Sequence, residues 1–172
     1  RIVTKTVKRE EREMRRGKSV ADFCVLTGGD EALAAALRRR LPAGEKAPFV
    51  MRTARTTIDV QGSPDVLLVS PYCAPSDITA AVSCGTLVFP GDADLPAGLF
   101  RADCVVAYGL APRNTVTYSS IAEDSCVIAV QREFLSFDGK KVEAQELRVE
   151  GGLHPDLLLA VTTAALVLGV IG

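Results

Sequence analysis

The stretch "CVLTGGDEALAAALRRRL", residues 24–41, decides the fold of this chain. A short apolar run ends at Thr27, two glycines follow, and the rest is rich in Ala and Leu, which favour a helix. Asp30 is suited to cap that helix, and Arg38, Arg39 and Arg40 complement the negative end of its dipole. The pattern predicts a strand, a tight turn and a helix, which together form the first unit of a parallel α/β sheet.

Four further apolar runs extend this sheet, and they read "PFVMRTART", "DVLLVS", "GTLVFPGD" and "ADCVVAYG". Continuous apolar strands of this kind are typical of a sheet that is covered on both faces. A short helix over residues 77–83 is predicted between the second and third runs. Because parallel strands need crossovers of one hand, we expect a three-layer αβα sandwich with a mostly parallel sheet.

The C-terminal half has a different period. The segments "TVTYSSIA" and "CVIAVQREFLSFDGKKVEAQELRV" alternate apolar and polar residues, and Asp138–Gly139 supplies a hairpin turn, which together predict an antiparallel β meander. A final helix is expected from Pro155 to Leu168. The apolar run over 157–172 is shorter than the roughly 20 residues that a membrane span requires. We therefore predict a buried core helix and no membrane span.

Composition predicts one domain of 172 residues with a basic extension. Residues 1–18 carry eight Lys or Arg against three Glu and form a basic N-terminal strand or arm, whereas residues 19–172 form a single α/β domain. The net charge of −1 gives no reason to expect specific nucleic-acid binding. The chain opens on Arg, which suggests that a preceding piece was removed, and no signal peptide is visible.

Five cysteines without a CxxC pair predict neither a disulfide framework nor a zinc site. Scattered thiols fit a reducing cytoplasm, and we expect no metal and no cofactor. Cys73 lies in a loop after a buried strand, and it is therefore the best candidate for a reactive thiol. A loop cysteine without a function is the alternative.

Candidate ligand-binding residues come from the predicted carboxyl ends of the strands, where α/β sheets bind ligands. They are Gly28, Gly29, Asp30, Tyr72, Cys73, Asp92, Tyr108, Arg113 and His154. The two glycines either cradle an anion or form a corner that needs positive φ. Asp92 and Asp94 suit a metal, a ribose or a simple turn, and His154, the sole histidine, suits proton transfer or a helix cap.

Three segments, in this order, resemble the central ATP-binding domain of the Mur ligase family. They are "VLTGGDEALAAALRRRL", "GTLVFPGDADLPAGLFRADCVVAYGL" and "GLHPDLLLAVTTAALVLGV". The resemblance covers residues 22–172. It implies a bacterial protein linked to cell-envelope metabolism, in a family that couples ATP cleavage to amide-bond formation on cell-wall precursors.

The sequence departs from that family where the chemistry takes place. The family loop is Gly-Thr-x-Gly-Lys-Thr-Thr, in which Lys contacts the terminal phosphates and the next hydroxyl binds Mg²⁺. Here Asp30 and Glu31 follow the glycines, a His-Asn pair is replaced by His154–Pro155, and the shortened middle segment "SPYCAPSD" lacks the metal-binding Glu and His. The resemblance therefore implies a non-catalytic binding or scaffold domain with an unknown small ligand or protein partner.

Two alternatives remain from the residues alone. One is a small α/β enzyme with a Rossmann-like site that uses Cys73 or the Asp92/Asp94 pair. The other is a homo-oligomeric assembly module, because an exposed face of the apolar C-terminal helix would form a patch that soluble monomers avoid.

Overall fold

An eight-stranded sheet forms the centre of the computed structural model, which describes residues 20–171. The predicted basic arm over residues 1–18 lies outside the described residues. Two α-helices are present in the described part, α1 (Ala32–Arg40) and α2 (Pro155–Val167). The strands are β1 (Ala21–Leu26), β2 (Phe49–Ala54), β3 (Val66–Val69), β4 (Val82–Pro90), β5 (Phe100–Tyr108), β6 (Val116–Ile121), β7 (Ser125–Val130), β8 (Phe134–Leu135), β9 (Lys141–Val142) and β10 (Gln145–Glu150).

The strand order is β2-β1-β3-β4-β5-β6-β7-β10. Every neighbouring pair from β2 to β6 is parallel, whereas β7 is antiparallel to both β6 and β10. Strands β8 and β9 form a separate hairpin, whose turn contains Gly139 at a φ of +84°. The predicted α/β class, the mostly parallel sheet and the antiparallel C-terminal part are thus confirmed.

Alternation along the strands divides the apolar side chains into two cores. Phe23 and Val25 of β1 face the helices, while Cys24 and Leu26 face the opposite side. Both helices pack in the first core and contact each other, so they lie on the same face of the sheet. The sheet is thus buried on both faces at β1, β3 and β4, as their apolar runs predict, whereas β2 and β5 carry exposed residues such as Val50 and Val105.

The second face is covered by connections in place of α-helices. Three short 3₁₀ helices lie in these connections, at Thr57–Asp59, Pro75–Asp77 and Ala97–Leu99. The helix predicted over 77–83 is wrong: a 3₁₀ turn ends at Asp77 and β4 already begins at Val82. The β-branched Ile78, Thr79 and Val82 explain the difference, because they favour an extended chain. Val82 already pairs with Phe100 in the sheet.

The predicted C-terminal helix is the centre of the first core. All side chains from Leu157 to Leu168 are buried, and the hydroxyl of Thr163 donates to the carbonyl of Leu159 at 2.7 Å. Among the described residues, no helix is long and apolar enough to cross a membrane. The buried helix offers no exposed apolar face within the described residues, and the assembly hypothesis stays a prediction.

We expect Leu159→Ala to lower the free energy of unfolding by about 2–5 kcal/mol, because the side chain is fully buried and its loss leaves a cavity. Leu110→Ala is the matched control, since Leu110 is 56% exposed, and it should change stability by less than about 0.5 kcal/mol. Urea unfolding followed by circular dichroism measures both variants. Equal effects would contradict the placement of α2 in the core.

Candidate functional site

The order in which the chain adds strands to the sheet reverses between β1 and β3. From β1 the chain passes through α1 to β2 on one side, whereas from β3 it passes to β4 on the other. The carboxyl ends of β1 and β3 therefore lie at a topological switch point, the position at which open α/β sheets bind ligands, and we call this edge of the sheet the crevice. Residues 27–30 leave β1 at this crevice and residues 70–73 leave β3, and the amide of Ser70 donates to the carbonyl of Leu26.

The glycine turn at this crevice has the backbone that its sequence predicts. Gly28 and Gly29 have φ angles of +64° and +89°, which other residues rarely adopt. Four amide groups of the turn and the first helical residue are bonded within the chain: Gly28 to the Arg55 carbonyl, Gly29 to the Thr27 hydroxyl, Asp30 to the Thr27 carbonyl, and Ala32 to the Asp30 carboxylate. An anion at a helix N-terminus binds through such amides. We call this turn closed because the chain itself satisfies these four amides, with the Asp30 carboxylate bonded at the start of α1.

The loop after β3 packs directly on this turn. A Cβ atom added to Gly28 would lie 2.7 Å from Oδ2 of Asp77 and 3.2 Å from Sγ of Cys73. The same Asp77 oxygen accepts a hydrogen bond from the amide of Ala74 at 2.7 Å, which fixes its position. A carboxylate thus lies against the face of the turn.

Arg55 supplies a positive charge that sequence reasoning missed. It follows β2, and its Nε would lie 3.3 Å from a Cβ atom added to Gly29. The side chain is exposed. Parallel pairing of β1 with β2 brings it there, because Leu26 and Ala54 are partners in the register. A basic residue at the end of "PFVMRTART" was the available signal, but only the strand order places it at this crevice.

Tyr72 and His154 bring the start of α2 to the same edge. Their ring centroids are 6.4 Å apart, at an interplanar angle of 61°. Partial burial and the carboxylates of Asp156 and Asp30 raise the pKa of Tyr72, whose side chain is 38% exposed. Nδ1 of His154 accepts the amide of Asp156 at 3.3 Å, so this histidine caps the helix. Its ring remains open to solvent on the other side.

Six of the nine predicted residues therefore border or closely approach the crevice: Gly28, Gly29, Asp30, Tyr72, Cys73 and His154. Their role in ligand binding stays a prediction. Tyr72 and His154 are the members of this set whose side chains present a ring surface to solvent.

The thiol of Cys73 is poorly suited to chemistry. It is 8% exposed and donates to the carbonyl of Leu26 at 3.4 Å. Burial and, next, the carboxylate of Asp77 raise its pKa to about 12. Because the thiolate is the reactive form, a thiol in this setting is inert near neutral pH.

The other three predicted residues lie farther along the same edge, and their polar atoms form hydrogen bonds within the chain. Asp92 accepts from the amides of Leu110 and Ala111 and from the side chain of Asn114. Arg113 donates to the carbonyl of Gly91 at 2.8 Å. These bonds join the end of β4 to the segment after β5. Both side chains therefore hold neighbouring segments of the chain together.

Tyr108 is 2% exposed, and its hydroxyl donates to the carbonyl of Val69 at 2.6 Å. Burial raises its pKa well above the ordinary value. It therefore lies beneath the edge and ties β5 to β3 across β4. Within residues 20–171, no group of three or more His, Cys, Asp or Glu side chains is arranged to hold a metal ion.

No protein-family model matches this sequence, and comparison with curated proteins gives no match. The chemistry that the crevice can support must therefore be inferred from the side chains that border it. An exposed aromatic ring, an imidazole, one guanidinium and fixed carboxylates can recognise a ligand by stacking and hydrogen bonding. They do not form a nucleophile with an adjacent base.

We expect Gly28→Ala to destabilise the protein more than Gly62→Ala. Both glycines have φ near +65°, so each substitution should cost about 1–2 kcal/mol for the left-handed backbone. Only the Cβ at position 28 meets neighbours, Asp77 and Cys73, whereas position 62 has open space. Overpacking should add about 1–3 kcal/mol. Equal losses in urea unfolding would show that the turn and the loop are not in contact.

We expect Cys73 to react slowly with a thiol reagent at pH 8, where a pKa of about 12 leaves a thiolate fraction of ~10⁻⁴. Since unfolding restores the ordinary pKa of 9.0, the free energy of unfolding should fall between pH 9 and 12, and less steeply in Cys73→Ser. Mass spectrometry of labelled peptides and urea unfolding at each pH measure the two effects. Rapid labelling of Cys73 in the native protein would contradict its burial.

Proposed function

We propose that this chain is a non-catalytic binding or scaffold domain with the build of a Mur ligase central domain. The glycine turn that such a domain would use for a triphosphate is closed, and this one observation supports the proposal most strongly. The amides of Gly28, Gly29, Asp30 and Ala32 all donate within the chain. A polyphosphate would have to break these bonds and replace the Asp30 cap.

Charge at the turn also opposes a triphosphate. Asp30 and Glu31 are exposed where the family has Lys and a hydroxyl, and the Asp77 carboxylate lies against Gly28. Two like unit charges 4 Å apart repel by about 4 kcal/mol at an effective dielectric constant of 20. Arg55 supplies one positive charge against the three negative charges of these acids, so the net charge at the turn still repels a triphosphate.

The likeness to Mur ligases gains support from where the three quoted segments meet. The glycine turn and the His154–Pro155 start of α2 are far apart in sequence but lie at one edge of the sheet, on either side of Tyr72. The second quoted segment ends its strand at the same edge, where Tyr108 bonds to the end of β3. A domain with the Mur ligase fold would bring these segments to one edge of the sheet. Because the lysine is absent, we propose that the domain binds a ligand but does not catalyse ligation.

An enzyme with a loop cysteine or an aspartate pair has less support. Cys73 is buried with a raised pKa, and Asp92 accepts hydrogen bonds from three donor groups of its own chain. Nδ1 of His154 is engaged by the amide of Asp156. In the described part of the chain, these groups leave no nucleophile within reach of a free base.

We infer that the ligand or partner contacts Tyr72, His154 and Arg55, the accessible side chains around the closed turn. A flat or ring-bearing surface would suit the exposed faces of Tyr72 and His154. We also propose a cytoplasmic location, because scattered cysteines without a CxxC pair fit a reducing compartment.

We expect no saturable heat when ATP·Mg²⁺ is titrated into the protein up to about 1 mM in a calorimeter, a concentration that would reveal binding stronger than about −4 kcal/mol. The reason is the closed turn with its excess of carboxylates. Micromolar binding with ATP hydrolysis that an amino acid stimulates would contradict the proposal. If heat appears, Arg55→Gln shows whether this guanidinium neutralises the phosphates, since its loss should then abolish the signal.

We expect a soluble cell-wall precursor without a diphosphate, such as a muramyl peptide, to raise the thermal midpoint of the wild-type protein, because a ligand that binds only the folded state stabilises it. Tyr72→Ala should remove this shift, since it deletes an exposed ring at the crevice. Ile121→Ala is the matched control at an exposed residue of β6 and should retain it. A shift that survives in Tyr72→Ala would place binding elsewhere, and no shift with any precursor would contradict the link to the cell envelope.

A further inference from the structure

We draw no further inference here: the strongest candidate, the apolar groove of about 500 Å³ between the C-terminal end of α1 and strand β2, is an unpartnered surface of the described residues, and nothing in the structure shows what covers it.

Discussion

Burial of β1 and β3 on both faces is the constraint on which the rest of this structure depends. Phe23 and Val25 face the helices, whereas Leu67 and Val69 face the opposite core. Such strands are stable only between two layers, because each exposed methylene would cost roughly 0.8 kcal/mol. The two helices, of which α2 is buried from Leu157 to Val167, supply one layer, and the connections with their 3₁₀ turns supply the other. The position of the crevice follows, since it lies at the carboxyl ends of these two strands.

Packing at the crevice also decides what this edge can bind. The loop that covers the second core begins at the end of β3, so it must pass over the glycine turn, and it places Cys73 and Asp77 there. The turn amides meanwhile bond to the end of β2 and to Thr27. Buried or half-buried amides are satisfied in native proteins. Here the chain satisfies them itself, so the function that we propose assigns recognition to exposed side chains.

Hydrogen bonds at the same edge stabilise positions that resemble functional ones. Asp92, Arg113 and Tyr108 are polar residues at strand ends, which is where ligand contacts occur. Each bonds to backbone groups of neighbouring segments, so together they join β4, β5 and the end of β3. Polar residues at strand ends thus have two uses. Such a residue binds a ligand or stabilises the fold, depending on whether a backbone donor or acceptor lies within hydrogen-bond distance. The sequence alone does not give that distance.

The sequence by itself determined the first βα unit, the parallel strands, the antiparallel half and the buried final helix, because periodicity and apolar runs are local properties. The tertiary structure decided the rest. Strand order brought Arg55 to the glycine turn, the packing of α2 brought His154 to Tyr72, and the connections filled the layer that was expected to hold α-helices. It also buried Cys73, which a loop position had suggested was accessible. These features depend on contacts between distant segments, and no local pattern records which segments will meet.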